Sequence, residues 1–596
     1  MNILLSIAFS LTSLLPQADD AFWRDSIPQE MKQSYIEYGE QYQGKAWTAL
    51  PWTVFAENKI NGNRVNYEGI CFEKRRHLAA LVMAEILEAK GRFIYDIIDG
   101  IGSFCEETWW GIPAHYGKRI PLQEMQEVDL FNAETASLIV WTRYMLQKQL
   151  DDFSPDICQR IDREIENRIL KPALAKNYWW KTAGMNWNPW ICSNWLACVL
   201  ICEKDETRKA EAIAQIEKAT HAFIDAYPED GGCDEGPGYW DRAAASMFEV
   251  LRLLPEGDSL FSSASGTMNH SYLSYPRNSR KIQAMAAYCY KTYIGHDYCV
   301  NFADAHDNKA AQQINIVYPF GLWLNDKTMR EFGAYLGQNK QILTSPAKLY
   351  DKSGNFPTLG RELFFLRHIR DFIAEKPQEP LLKNVWLPDL QIMTARRGNL
   401  YMAIKGGNNG ESHNHNDVGS FIVYADGEPL FIDPGVGEYT AKTFSNSRYE
   451  IWTMQSGYHN LPQINGTDQK DGKTYASKVV NHKDGLLTLD LAGAYPKEAA
   501  VKSWQRTVSI TKSGIIVTED FELNESKAPS RLILMTTNRQ ALQHIEYNPN
   551  QLEATIEDVS HQLDPVLQSM WGKEMYRLIL TVKSVKTKQQ IKYCIK

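Results

Sequence analysis

A chain of 596 residues, 44% apolar and 23% charged, has the make-up of an ordinary globular protein and the length for several domains. Its net charge of −8 argues against a general nucleic-acid binder, so an anionic polymer would have to be met by local Arg, Lys or metal rather than by the whole surface.

The N-terminus, MNILLSIAFSLTSLLPQADD, carries an apolar run from Ile3 to Leu15. It is too short to span a bilayer and suits the apolar core of a signal peptide, although no Lys or Arg precedes it. Cleavage near Ala18 assigns residues 1–18 to a leader and the mature chain to the periplasm or the exterior. The alternative is a buried N-terminal helix. No Cys follows the run to support a lipoprotein anchor, and no later stretch is long and apolar enough to insert in a membrane. Ten cysteines with no CxxC pair predict neither a disulfide framework nor a Cys-zinc site.

From about residue 20 to 375 the pattern is mostly helical. Residues 77–91, 131–150, 157–170 and 242–254 place apolar side chains at three- and four-residue spacing. Loops rich in Trp, Gly and Pro separate them, which suggests stacked helical hairpins. Beyond KPQEP (376–380), short strand-like runs take over: LYMAIKGG, SFIVYADGEPLFIDPG, GLLTLDLAG, GIIVTEDFEL and RLILTV. Turn signals such as Asp426-Gly427 and Asp484-Gly485 bound them, the pattern of an antiparallel β-sandwich. The boundary should fall near 376–386.

Twelve of the seventeen Trp lie in residues 1–240, clustered in TWWGIPAHYG (108–117) and NYWWKTAGMNWNPWICSNW (177–195). Most should be core, with a minority lining a groove where sugar rings can stack. The run KRRH (74–77) can meet anionic sugar, but reads more readily as a solvated helix start. Asn465-Gly-Thr fits a glycosylation acceptor, with nothing else to support it.

The densest polar cluster is ESHNHND (411–417). In an extended segment His413 and His415 would face one side. Asp433, in FIDPG, and His459, in SGYHNLPQING, lie further on. Two His and one Asp can make a first shell for zinc with a fourth position open, although spacing alone fixes no motif. In the helical half, MNWNPWICSNW holds Asn186 and Asn188 among Trp rings, and CDEGPGYWDR holds Glu235, Tyr239 and Arg242. Gly-Pro-Gly places Tyr239 at or just before a helix start. His296 and His306, in GHDYCVNFADAHD, offer a second cluster more readily explained as structural.

SHNHNDVGSFIVYADGEPLFIDPG followed by SGYHNLPQING resembles the C-terminal domain of the heparinase II/III-like family, and NWNPW and EGPGYW resemble parts of that family's helical domain. The resemblance implies a multidomain α+β chain: an incomplete (α/α) toroid over 19–380, then an antiparallel β-sandwich over 381–596. It implies a polysaccharide lyase that cleaves a uronate-containing glycan, such as heparan sulfate or alginate, by β-elimination. Carried over by motif, Tyr239 becomes the general acid and a candidate base. His413 is base or polariser of the tyrosine. Asn186 or Asn188 neutralises the substrate carboxyl. His415, Asp433 and His459 hold Zn2+ or another divalent cation in a mainly structural role. Arg242, Glu235, Trp187, Trp190 and His115 are expected to contact substrate. Where some members carry a His after the first Asn, this chain has Trp187, which weakens the case for a second catalytic histidine.

The chemistry explains these types. Removing the C5 proton of a uronate needs charge stabilisation at its carboxyl oxygens, a base, and an acid for the departing oxygen. Two other readings stay open. A hydrolase of acidic glycans would use carboxylates such as Glu106, Glu107, Asp234 or Glu235. A non-catalytic glycan-binding protein would need only the Trp-rich groove.

Overall fold

A computed structural model describes residues 11–254, 278–304, 313–345, 349, 357–440, 442–584 and 586–596. The first ten residues of the expected leader and His306 lie outside them. The chain divides into two compact units, Met1–Tyr227 with Asp241–Ala286 and Gln312–Glu379, and Pro228–Trp240 with Ala287–Ala311 and Pro380–Lys596. The second unit therefore begins near the expected boundary but also recruits two segments from far upstream.

The first unit is helical. Its long helices are Val65–Glu88, Leu130–Phe153, Trp187–Cys202 and Glu206–Ala226. Asp129 and Asp205 cap the second and fourth by accepting from backbone N–H groups of the first turn. Helix Trp187–Cys202 is apolar on nearly every face and packs among Leu130–Phe153, Glu206–Ala226 and Ala244–Leu253. Helix Gln29–Glu40 approaches Val65–Glu88 so closely that a Cβ on Gly39 would lie 2.4 Å from Ala84 Cβ. Arg361, fully buried, ties Asp241 and Glu249 together with ion pairs of 2.9 Å each. The expected helix over 157–170 is Pro155–Ile165 continued by a π turn at Glu166–Leu170. Residues 11–18 are not detached from this unit: Leu15 is buried, its carbonyl accepts from Tyr144, and Ala18 N–H donates to Met145.

KRRH corrects both of its sequence interpretations. It lies inside helix Val65–Glu88, where Lys74 and Arg75 are buried and both pair with Glu107, while His77 stacks between Trp47 and Tyr42. The buried Glu107 carboxylate neutralises what sequence alone suggests is solvated. Of the twelve Trp in 1–240, eight are buried, Trp47 and Trp187 are half-buried, and Trp52 and Trp179 are exposed.

The second unit is built of antiparallel strands. β1 Asn384–Leu387, β2 Ile392–Arg397, β3 Leu400–Lys405, β4 Phe421–Ala425 and β5 Glu428–Phe431 form a five-stranded sheet in chain order. β6 Pro462–Gln463 is short. β7 Lys478–Lys483, β8 Leu486–Asp490, β9 Val501–Thr511 and β10 Gly514–Leu523 follow, then β11 Arg531–Thr536, β12 Ile545–Tyr547, β13 Leu552–Asp558, β14 Tyr576–Val582 and β15 Lys588–Ile595. A six-stranded sheet runs β7-β8-β9-β10-β15-β12, and a four-stranded sheet runs β13-β14-β11-β6. Alternation explains the strands. β9 buries Trp504, Arg506, Val508 and Ile510 and exposes or half-exposes the residues between. One core joins Met402, Phe421 and Val423 of the first sheet to Trp504, Val508 and Phe521 of the second and Leu534 and Leu578 of the third. The β4–β5 turn uses Asp426 (φ 53) and Gly427 (φ 82), the positive pair that a two-residue hairpin favours.

Candidate active site

All groups of the central cluster belong to the second unit. The loop from β3 to β4 carries ESHNHND. The segment is not extended: 411–417 turn, and His413 adopts φ 53. A non-glycine residue costs energy in that region, so the surroundings must hold it there. Lys405, at the end of β3, does so from beneath. Its Nζ lies 2.7 Å from Asp417 Oδ1 and 3.2 Å from Glu411 Oε2, joining the two ends of the motif. The two carboxylates raise the Lys405 pKa against the opposing effect of burial, and the ammonium stays charged. Arg448 holds the middle: Nε donates to Asn414 O (2.9 Å) and Nη1 to Thr443 O (2.9 Å).

The turn allows both imidazoles to reach one carboxylate, that of Asp304. Asp304 Oδ2 accepts from His413 Nδ1 (2.7 Å) and from Tyr439 OH (3.2 Å). Oδ1 accepts from His415 Nε2 (3.0 Å) and from Arg448 Nη2 (2.6 Å). Burial pushes the Asp304 carboxyl up, but the bonds from His413 and His415 outweigh it and hold the group well below the usual range. An ionised carboxylate only accepts, so the protons lie on His413 Nδ1 and His415 Nε2. Burial pushes His413 down, while the Asp304 bond and the charges of Glu235 and Asp304 raise it overall.

Tyr239 lies in the four-residue helix Pro237–Trp240, just before helix Ala244–Leu253, as the Gly-Pro-Gly signal predicted. Its ring centroid is 4.4 Å from that of His413, and its hydroxyl is 2.7 Å from Tyr439 OH. Burial holds the Tyr439 phenol well above its ordinary pKa, so it keeps its one proton, which it donates to Asp304, and its oxygen accepts from Tyr239 OH. Glu235 is buried in the same segment, and Asp234 accepts from Ser412 N–H (3.3 Å).

His415, Asp433 and His459 are fully buried and can each offer one ligand atom within 4.8 Å of the others. Asp433 lies two residues beyond β5, and His459 follows a 3-10 turn. The hydrogen bonds fit a cation here. His459 Nε2 donates to Thr453 O (3.0 Å), so its Nδ1, 2.9 Å from Asp433 Oδ2, must carry a second proton or share a cation with that oxygen. His415 spends Nε2 on Asp304, and its buried Nδ1 has no hydrogen-bond partner among the described residues. Both rings thus turn Nδ1 toward the set while Nε2 is fixed by an outer acceptor, the arrangement metal-binding histidines use.

The remaining expected residues lie in the helical unit. Asn188 is fully buried, and its amide donates to Ala219 O (2.8 Å) and Lys181 O (3.4 Å). Asn186 occupies the N-cap position of helix Trp187–Cys202. Arg242 lies 4.5 Å over the Trp190 ring and 3.5 Å from Glu134, to which Trp190 also donates. His115 bonds Asp129 (2.8 Å), stacks on Phe131 and tilts against Trp187, which in turn meets the exposed Trp179. Of the carboxylates weighed for hydrolysis, Glu107 is committed to Lys74 and Arg75, and Glu106 pairs with Arg160. His296 takes φ 51 in a hairpin turn beside Gly427. Asn465 is buried with its amide bonded to Ala499 and Glu525 carbonyls, which leaves no acceptor for a glycan.

Residues 380–573 match the family described as heparinase II/III-like, C-terminal. No curated protein matches the sequence. Among solved structures, heparinase III resembles this chain at 12% identity and a TM-score of 0.61, covering 99% of this chain and 88% of its own. The heparan sulfate lyase of Pedobacter heparinus gives 13%, 0.54, 99% and 87%. The Streptomyces coelicolor A3 chondroitin AC lyase in complex with chondroitin sulphate gives 11%, 0.51, 100% and 83%. These likenesses show a shared fold of helices and sheets along the whole chain. The domain at 380–573 thus matches the heparinase II/III-like C-terminal domain, in a chain whose fold resembles that of heparinase III.

Proposed function

We propose that this protein is a polysaccharide lyase, cleaving a uronate-containing acidic polysaccharide by β-elimination. The observation that carries the proposal is the placing of Tyr239 against His413, with both tied through hydrogen bonds to Asp304 and Tyr439. The helical unit is assigned as the (α/α) toroid and the sheet unit as the β-sandwich of such lyases.

Tyr239 delivers its proton to the departing C4 oxygen, and Tyr439 turns its one hydroxyl hydrogen from Asp304 to the phenolate left behind. His413 has its Nδ1 proton directed to Asp304, so Nε2 carries the lone pair and takes the C5 proton. General acid–base catalysis of this kind contributes about 10²- to 10⁴-fold. Asn186 or Asn188 is assigned to the substrate carboxyl; Asn188 also donates to the Ala219 and Lys181 carbonyls. The aromatic row of Trp179, Trp187 and His115 offers apolar faces to sugar rings. Arg242 and Trp190 support that wall, and the Glu235 carboxylate raises the basicity of His413.

His415, Asp433 and His459 would hold Zn2+ or another divalent cation, which supplies a structural tie between three loops. An exported location, periplasmic or extracellular, suits a polymer too large to cross a membrane. Among the described residues no helix is long and apolar enough to span one. Heparan sulfate, chondroitin sulfate, hyaluronan and alginate, screened by ultraviolet absorbance, test the assignment. The wild type should form an unsaturated, absorbing product on at least one, and Tyr239→Phe should lower its rate by about 10²- to 10⁴-fold. Product without absorbance would indicate a hydrolase, and binding without product a glycan-binding protein.

A further inference from the structure

Asp304 lies within GHDYCVNFADAHD, where only the histidines suggested function, yet its carboxylate is bonded by both histidines of ESHNHND. We propose that Asp304 is a positioning residue that fixes the tautomers of His413 and His415 together, one carboxylate oxygen to each ring, and so links the metal-ligand set to the acid–base pair. The inference rests on the lyase assignment only for its effect on turnover.

The argument is one of donors and acceptors. Each oxygen of Asp304 receives two bonds, His415 and Arg448 on Oδ1, His413 and Tyr439 on Oδ2. The two sides are not equivalent. Arg448 cannot accept, and His415 has its other nitrogen in the metal-ligand set, so the Oδ1 side must be an acceptor. On the Oδ2 side both partners can reverse. Tyr439 can accept, and His413 can move its proton from Nδ1 to Nε2. Replacing Asp304 with Asn therefore has a defined consequence. The amide oxygen will serve His415 and Arg448, and the NH2 group will face His413 Nδ1. His413 must then present a lone pair at Nδ1 and a proton at Nε2, the atom the proposed mechanism needs bare. A similar tautomer reversal in a serine-protease triad costs about 10⁴-fold in kcat.

The test uses the full chain, selectively 15N-labelled at histidine, with His413→Gln to assign the ring signals. In Asp304→Asn, the His413 nitrogen shifts should invert, those of His415 should not, and zinc content after loading with the metal alone should stay within about twofold of wild type. In Asp304→Ala both rings lose their acceptor, and zinc affinity measured against a chelator should fall by about 10- to 100-fold. On whichever polymer proves to be substrate, Asp304→Asn should lower kcat by about 10³- to 10⁴-fold, with KM within about threefold. A His413 ring that keeps its wild-type tautomer in Asp304→Asn overturns the proposal, as does unchanged zinc affinity in a folded Asp304→Ala. If the wild type cleaves no polymer, the lyase assignment falls while the ring shifts and zinc affinity still decide the role of Asp304.

Discussion

Two buried acids in the sheet unit have opposite fates. Glu519 faces Arg506 across β9 and β10. Both are fully buried, with Arg506 Nε and Nη2 on Glu519 Oε1 at 2.8 and 2.6 Å and Trp504 Nε1 on Oε2 at 2.7 Å. Arg506 spends Nη1 on the carbonyls of Gly419 and Asn460. Asp304 is as deeply buried, but three of its four donors are imidazoles and a phenol. A guanidinium on a strand cannot lose its proton, so the Glu519 pair has one state. Rings on loops can move theirs, so Asp304 organises a site with more than one. Burial and charge alone do not separate structure from chemistry; the partners' freedom to exchange protons does.

The sharpest way to break that contrast is at Arg506. Arg506→Met leaves Glu519 charged and buried without its cation, and should cost about 3–5 kcal/mol of stability in denaturant titration. Adding Glu519→Met should restore most of it, because removing both charges spares the desolvation penalty. Turnover per folded molecule should hold within a few-fold in both. A single mutant of normal stability and no turnover would place Arg506 with Asp304 instead.

Lys405 is the intermediate case, a cation that keeps its proton yet serves the mobile cluster. Lys405→Met strands Glu411 and Asp417 and should cost about 2–3 kcal/mol, less than Arg506→Met because Glu411 is nearer solvent. It should also lower kcat by about 10-fold or more, since the turn carrying His413 loses its tie and small displacements are expensive in rate. Stability loss with unaltered kcat would show that Arg448 alone holds the loop.

The same contrast explains what the sequence could convey. Arg506 and Glu519 sit in strands whose alternation is plain in VKSWQRTVSIT and GIIVTEDFEL, and antiparallel pairing sets them opposite each other. The histidines, Asp433 and Tyr239 were legible because short motifs carry them. Asp304, Tyr439 and Arg448 were not, because no periodicity governs loops. Asp304 lies 109 residues before His413, in a segment that joins the sheet unit from within the helical stretch. The nearby histidines of GHDYCVNFADAHD drew attention to the wrong side chains. A signal was present: two histidines one residue apart each need an outer acceptor, and ESHNHND had none to spare once Glu411 and Asp417 met Lys405. The turn at His413 was also hidden, since a positive φ at histidine has no pattern in sequence.

A third buried acid gives the smallest effect and completes the series. Glu217, in helix Glu206–Ala226, has no hydrogen-bond or ion-pair partner among the described residues, and burial raises its pKa to about 7. With an unfolded value near the ordinary 4.5, the folded state binds the proton more tightly than the unfolded one. Any stability tied to the protonated form is complete below about pH 4.5 and is lost as pH rises toward 7. Glu217→Gln mimics that form at every pH. It should leave stability unchanged near pH 4 and raise it by on the order of 1–2 kcal/mol at pH 8, a difference that denaturant titration at the two pH values resolves. Equal stability at pH 8 would mean that Glu217 finds a partner there, as Asp304 and Glu519 do. A gain would show that an acid with neither a fixed cation nor a movable proton donor contributes only a cost, which is why burial without partners marks neither a structural pair nor a site.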